Sequence, residues 1–146
     1  MTLTNKQLEA ILAEAFVAGR DAASRKLDEL RSRGPAFTVH DTGLFGKPTA
    51  DNVVGTLLDV CGSAFLTVSG RSATHRILRR YLGNAPSLPG GGRVYYRPGY
   101  PTGFVLSIFD VTNRQELSVH EAAMEAVKDV LEKHGLTGLH VHSWVD

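Results

Sequence analysis

The 146-residue chain has the length of one domain and can bury about two-thirds of its unfolded surface without staples. Apolar residues at 42% and charged residues at 21% are ordinary globular values, and no apolar run approaches the roughly 18 residues a membrane span needs. A formal net charge of +1 excludes attraction of polyanions by the molecule's overall field.

Residues 4–33 read as one long helix. Thr4-Asn5-Lys6-Gln7 is a capping-box pattern, in which the Thr4 hydroxyl takes a free N–H and Gln7 reaches back. Leu8, Ile11, Leu12, Ala15 and Phe16 recur at helical spacing, followed by Ala23, Leu27 and Leu30. Gly34-Pro35 stops the run. A helix of this length spans roughly 45 Å, more than a small domain, so it is expected to cover a sheet or to mediate homo-oligomerisation. Glu9 and Glu14 interrupt its apolar stretch, so it does not read as a signal peptide.

A short strand is predicted over 36–40 and a loop over 41–52. The apolar runs 53–60 and 64–69 predict two strands buried on both faces, joined at Cys61-Gly62-Ser63. Residues 72–82 predict a helix capped by Ser72, with Ile77, Leu78, Tyr81 and Leu82 inward and His75, Arg76, Arg79 and Arg80 outward. A loop over 83–92, a strand over 93–97, a turn over 98–102 and a strand over 103–110 follow. Ser118-Val119-His120-Glu121 reads as a second capping box, and His134-Gly135 ends the helix it opens. Residues 139–145 alternate, with Leu139, Val141 and Val145 on one face and His140, His142 and Trp144 on the other.

From residue 64 onward the order is β-α-β-β-α-β. The expected fold class is therefore α+β: a ferredoxin-like βαββαβ core, its antiparallel sheet carrying two helices on one face. The long N-terminal helix and an extra strand hairpin precede it. The expected organisation is an N-terminal helix over 1–34 and one α+β domain over 35–146.

Charge placement is the clearest anomaly. Between Val60 and Phe109 there is no acid and no lysine, but there are Arg71, Arg76, Arg79, Arg80, Arg93 and Arg97. Arginine without lysine favours bidentate contacts to phosphate or carboxylate and stacking on flat rings. Tyr95, Tyr96 and Tyr100 lie among these arginines, a combination that can hold a base. The helix start at Ser72 adds free N–H groups beside Arg71. These residues are expected to face one concave surface and to bind a phosphate-bearing ligand, with Arg71, Arg76, Arg79, Arg80, Arg93, Arg97, Tyr95 and Tyr96 as the site. The alternative is that the arginines serve subunit contacts.

The catalytic signals are weak. Neither a GxGxxG nor a P-loop motif is present. His40-Asp41-Thr42 matches one half of a two-histidine phosphodiesterase, but no second histidine carries Ser or Thr two residues on. His140 and His142 could share a metal face, yet no carboxylate cluster accompanies them. The lone Cys61 excludes an internal disulfide, fits a reducing compartment or a virion interior, and reads as a small hydrophobe after a buried strand. No catalytic residue, metal or cofactor is expected.

Leu58-Asp59-Val60-Cys61-Gly62-Ser63-Ala64-Phe65 resembles a strand found in a group of small, uncharacterised bacteriophage and prophage proteins. They share an L-D-x-C-G-x-A-aromatic strand, a short basic helix, a Gly-Gly turn, a helix with E-A-x-A, and a final strand closing on aspartate. Gly91-Gly92, Phe104–Asp110, Glu121-Ala122-Ala123, Val130-Leu131 and Asp146 are the matching positions, and the resemblance covers about residues 57–146. It implies phage origin and no particular activity. The location it implies is the bacterial host cytoplasm or the virion. The expectation is thus a non-enzymatic phage-type binding protein holding a nucleotide or nucleic acid, with action against a host system as one destination. No membrane partner is expected. The alternative is a virion structural protein contacting other virion proteins, and a third reading is a two-histidine-like phosphodiesterase using His40.

Overall fold

The computed structural model describes residues 2–82, 91–99, 102–108 and 115–146. Residues 83–90 of the loop expected over 83–92, and Tyr100, Phe109 and Asp110 in predicted elements, lie outside the described residues.

Among the described residues, three α-helices and two antiparallel sheets make up an α+β architecture. Helix α1 runs from Asn5–Arg33. Its start is the predicted capping box: the Gln7 amide donates to Thr4 Oγ1 at 3.1 Å, and Gln7 Oε1 accepts from the Thr4 amide at 2.9 Å. Its apolar stripe from Leu8 to Leu30 is buried inside this chain. Strands β1 (Phe37–His40) and β2 (Val53–Leu57) form a separate two-stranded sheet. The main sheet holds β3 (Gly62–Val68), β4 (Gly92–Arg97), β5 (Gly103–Ile108) and β6 (Leu139–Val145), in the order β4-β5-β3-β6. Helix α2 spans Ala73–Leu82 and α3 spans Leu117–Lys133. Among the described residues no helix is long and apolar enough to cross a membrane.

Two strand expectations are corrected. Residues 53–57 do not join the main sheet, because β5 and β6 already occupy both edges of β3. Nor are they buried on both faces, since Val53 and Val54 are exposed. Their apolar character reflects β-branched propensity on a free ribbon, which periodicity alone does not separate from a core strand.

Helix α1 does not cover the free face of the sheet. It packs on α3 and reaches β4 and β5 from the same side. Gly19 sits where α1 crosses that layer, and a Cβ there would meet Ile108, Val127 and the Ala123 carbonyl. Gly92 approaches the Phe16 ring more closely still, leaving no room for a Cβ. The ring cannot step aside because Phe16 is itself fully buried. Gly92→Ala is expected to lower stability by about 1–3 kcal/mol, the usual cost of forcing an extra carbon into a packed core, measured as a shift in denaturant midpoint.

Helix α3 starts differently from expectation. Its N-cap position is Glu116, two residues before Ser118. A carboxylate from far away does the capping: the Ser118 amide donates to Asp59 Oδ2 at 3.2 Å. Burial alone would raise the Asp59 pKa. Hydrogen bonding from Ser118 and the Val60 and Ser118 amides, with the Arg33 charge, outweighs burial and holds it below the ordinary value of 3.8. A carboxyl with a depressed folded pKa stabilises above its unfolded pKa and loses that contribution as pH falls through the folded value. Asp59→Asn is therefore expected to cost about 1 kcal/mol at neutral pH. The difference in melting temperature between the two proteins should shrink below about pH 4.

Candidate functional site

Strand register decides where each candidate side chain goes. The pairs Val94↔Leu106, Leu66↔Leu106 and Leu66↔Val141 put Val94, Leu106, Leu66 and Val141 on the face covered by α1 and α3. The opposite face, on which no described helix packs, carries the alternate residues: Arg93, Tyr95 and Arg97 on β4, Val105 and Ser107 on β5, Phe65 and Thr67 on β3, and His140, His142 and Trp144 on β6.

These residues assemble into a platform. The Phe65 and His142 rings stack with centroids 5.8 Å apart and planes within 8°. Trp144 leans on Phe65 at 5.1 Å. Arg97 reaches diagonally across β5 to place its guanidinium 5.6 Å from the Phe65 centroid. Arg93 lies 5.5 Å from the Tyr95 ring. Phe65, Arg97, His142, Ser143 and Trp144 line a shallow cleft of about 360 Å³. Phe65 is 6% exposed, whereas Trp144 is 45% and Tyr95 37% exposed. The platform therefore has a buried anchor and solvent-facing rings beside it. Trp144 and His142 were legible as one face of the last strand. Phe65 was hidden in an apolar run that reads as core.

The other candidates lie elsewhere. Tyr96 follows Tyr95 in sequence and so points to the opposite side of the sheet. There it meets Phe104 edge-on at 5.6 Å. His75 of α2 tilts against the same Phe104 at 4.9 Å, and Arg79 completes a cleft of about 400 Å³. Arg76 and Arg80 flank a smaller groove with Ala73 and Ile77, of about 230 Å³. The Arg80 guanidinium also donates to the Leu3 carbonyl at 2.6 Å. Arg71 is exposed in the turn before α2. Ser72 caps α2 as expected, accepting from the His75 amide at 3.1 Å. The eight candidates thus divide among the open face, the α2 cleft, the smaller groove and a turn.

The electrostatics are lopsided. None of the four strands of the main sheet contains an acid, and neither does α2. Acids cluster on the helical side, where Glu14 of α1 binds Lys133 at 3.4 Å and His134 at 2.8 Å. Hydrogen bonds from His134 and Lys133 lower the Glu14 pKa. Among the described residues, Arg71, Arg76, Arg79 and Arg97 have no acidic partner within ion-pair distance.

The remaining reactive groups are structural in setting. His40 Nδ1 lies 2.8 Å from Asn52 Oδ1, closing the end of the β1–β2 ribbon. Cys61 is half-buried at the sheet margin, bridged to Glu116, with its thiol 3.8 Å from Gln115 Oε1. The strand before it, expected to be buried, is exposed at Val53 and Val54. Among the described residues, no three His, Cys, Asp or Glu side chains converge as a metal site. Comparison with protein-family models, curated proteins and solved structures gave no match.

Proposed function

We infer that the chain is a non-enzymatic binding protein, and that the open face of its four-stranded sheet holds a phosphate-bearing ligand with flat rings, a nucleotide or a nucleic acid. The observation that carries this reading is the Arg97–Phe65–His142–Trp144 platform on a sheet without acids. Bases stack on exposed aromatic rings whatever their sequence, and arginines beside the rings hold phosphate. Arg97 already covers Phe65 as a flat cation, so a base can replace it there while the guanidinium turns to a phosphate. The strand order β4-β5-β3-β6 within a β-α-β-β-α-β sequence supports a ferredoxin-like core as the scaffold. The resemblance noted in the sequence implies phage origin, and an infected bacterial cell is the setting proposed for such a binder.

Anisotropy of a labelled, unpaired oligonucleotide at several salt concentrations tests this. The reading predicts saturable binding that weakens with salt, with a log–log slope of about 0.7 for each phosphate contacted. Absence of binding to oligonucleotides and to nucleotides at low salt would refute it.

A second reading is assembly, favoured by the β1–β2 ribbon. Phe37, Val39, Val53 and Val54 are exposed there, and Leu44 and Phe45 in the connecting loop are 89% and 92% exposed. Homo-oligomerisation or contact with other virion proteins would then run through the ribbon, because the apolar stripe of α1 is already used inside the chain. If Val53→Asp with Val54→Asp lowers the native mass, and neither nucleotides nor oligonucleotides bind the wild type, assembly replaces binding.

A further inference from the structure

We propose that the ligand of the open face is a single-stranded nucleic acid that turns around the outer edge of β4 and places a further base in the cleft between α2 and β4–β5. This rests on the reading of the open face given above, and extends it from a ligand of unspecified size to a polymer.

Two clusters of the same chemistry stand on opposite faces of one strand. On the open face they are Arg97, Phe65, His142 and Trp144. In the cleft they are Arg79, Tyr96, Phe104 and His75. Each set has an arginine, a histidine and a pair of larger aromatic rings. Tyr96 and Arg97 are consecutive, so strand alternation sends one to each side. Strand β4 ends the sheet order, so no described strand lies beyond it.

The cleft suits a base. Phe104 forms its apolar floor, held by Tyr96 at 78° and His75 at 54°. Tyr96 lines the cleft and is 55% exposed. Arg79 is exposed at the rim, where a phosphate next to the inserted base would lie. The volume of about 400 Å³ falls at the small end of ligand pockets, in the range about 300–1,000 Å³. No acid occurs in β3, α2, β4 or β5 to repel the backbone on its way round the edge. A mononucleotide can occupy one cluster only, because the sheet stands between them. A flexible polymer can occupy both, and the second contact then forms at high effective concentration.

The experiment is a length series of unpaired oligonucleotides, DNA and RNA in parallel, with mononucleotides as the shortest probes. Wild type is compared with Tyr96→Ala, Arg79→Ala and Trp144→Ala, each checked for an unchanged melting curve. Affinity is expected to rise with length and level off within about 4–16 nucleotides. Tyr96→Ala should cut the affinity of the longest probes roughly tenfold and that of mononucleotides by less, since these can still take the open face. Arg79→Ala should act in the same direction and flatten the salt dependence. Trp144→Ala should weaken probes of every length. Mononucleotides binding as tightly as long probes would overturn the polymer and leave the open-face reading standing. So would long probes that ignore Tyr96 and Arg79. Absence of binding by any probe would overturn both.

Discussion

A protein carrying Trp144→Ala and Arg97→Ala together is expected to bind an unpaired oligonucleotide about a hundredfold more weakly than wild type. Trp144 is the only tryptophan and is half exposed, so its ring is available to a base without unfolding anything. Losing one stacking ring costs about 1–3 kcal/mol by alanine substitution. Arg97 contributes a cation over Phe65 and a phosphate contact, and its loss should also lower the salt slope by about 0.7. The conservative change Trp144→Phe should recover most of the affinity, since Phe keeps a stacking face. Anisotropy titrations at two salt concentrations separate the two contributions. An affinity unchanged in the double variant would remove the open face from consideration.

Phe16→Ala is expected to cost about 3–5 kcal/mol of stability, a large share of the roughly 5–15 kcal/mol typical of a domain. Phe16 is fully buried, against Gly92 at the start of β4. Helix α1 and the sheet share one apolar cluster that runs from Leu8 to Leu139. A helix serving only assembly would tolerate the change in the monomer. Val17, one residue on, is 51% exposed and provides the contrast: Val17→Ala should shift stability by no more than about 0.5 kcal/mol. Urea denaturation of the two variants measures both effects. For the same reason a chain without residues 4–33 is expected to lose cooperative unfolding.

The helices were the most legible part of the sequence. Their ends depend on local chemistry, as at Thr4 and Gln7, and their inner faces on a repeat of 3.6 residues. The start of α3 was not legible in the same way, because its capping carboxylate comes from Asp59, 59 positions before Ser118. The short ribbon strand β2 was misread because an apolar run looks alike whether buried or free. Whether it joins the main sheet depends on which strands claim the edges of β3, and that is a property of the whole topology.

The candidate site divides along the same line. The arginines and tyrosines stand out in the sequence by the absence of acids around them. Their grouping follows from strand alternation, which separates Tyr95 from Tyr96 and joins Arg93 to Arg97. Phe65, the anchor of the platform, carries no signal of its own. It acquires a partner only when β6 pairs beside β3 and brings His142 opposite it.

The most direct measurement uses Trp144 as its own reporter. As the only tryptophan, it makes intrinsic fluorescence a probe of the open face alone. Titration with an unpaired oligonucleotide is predicted to quench that fluorescence saturably, with the same midpoint as anisotropy of the labelled strand, and with quenching reversed by salt. Binding by anisotropy without any change in tryptophan emission would contradict the account.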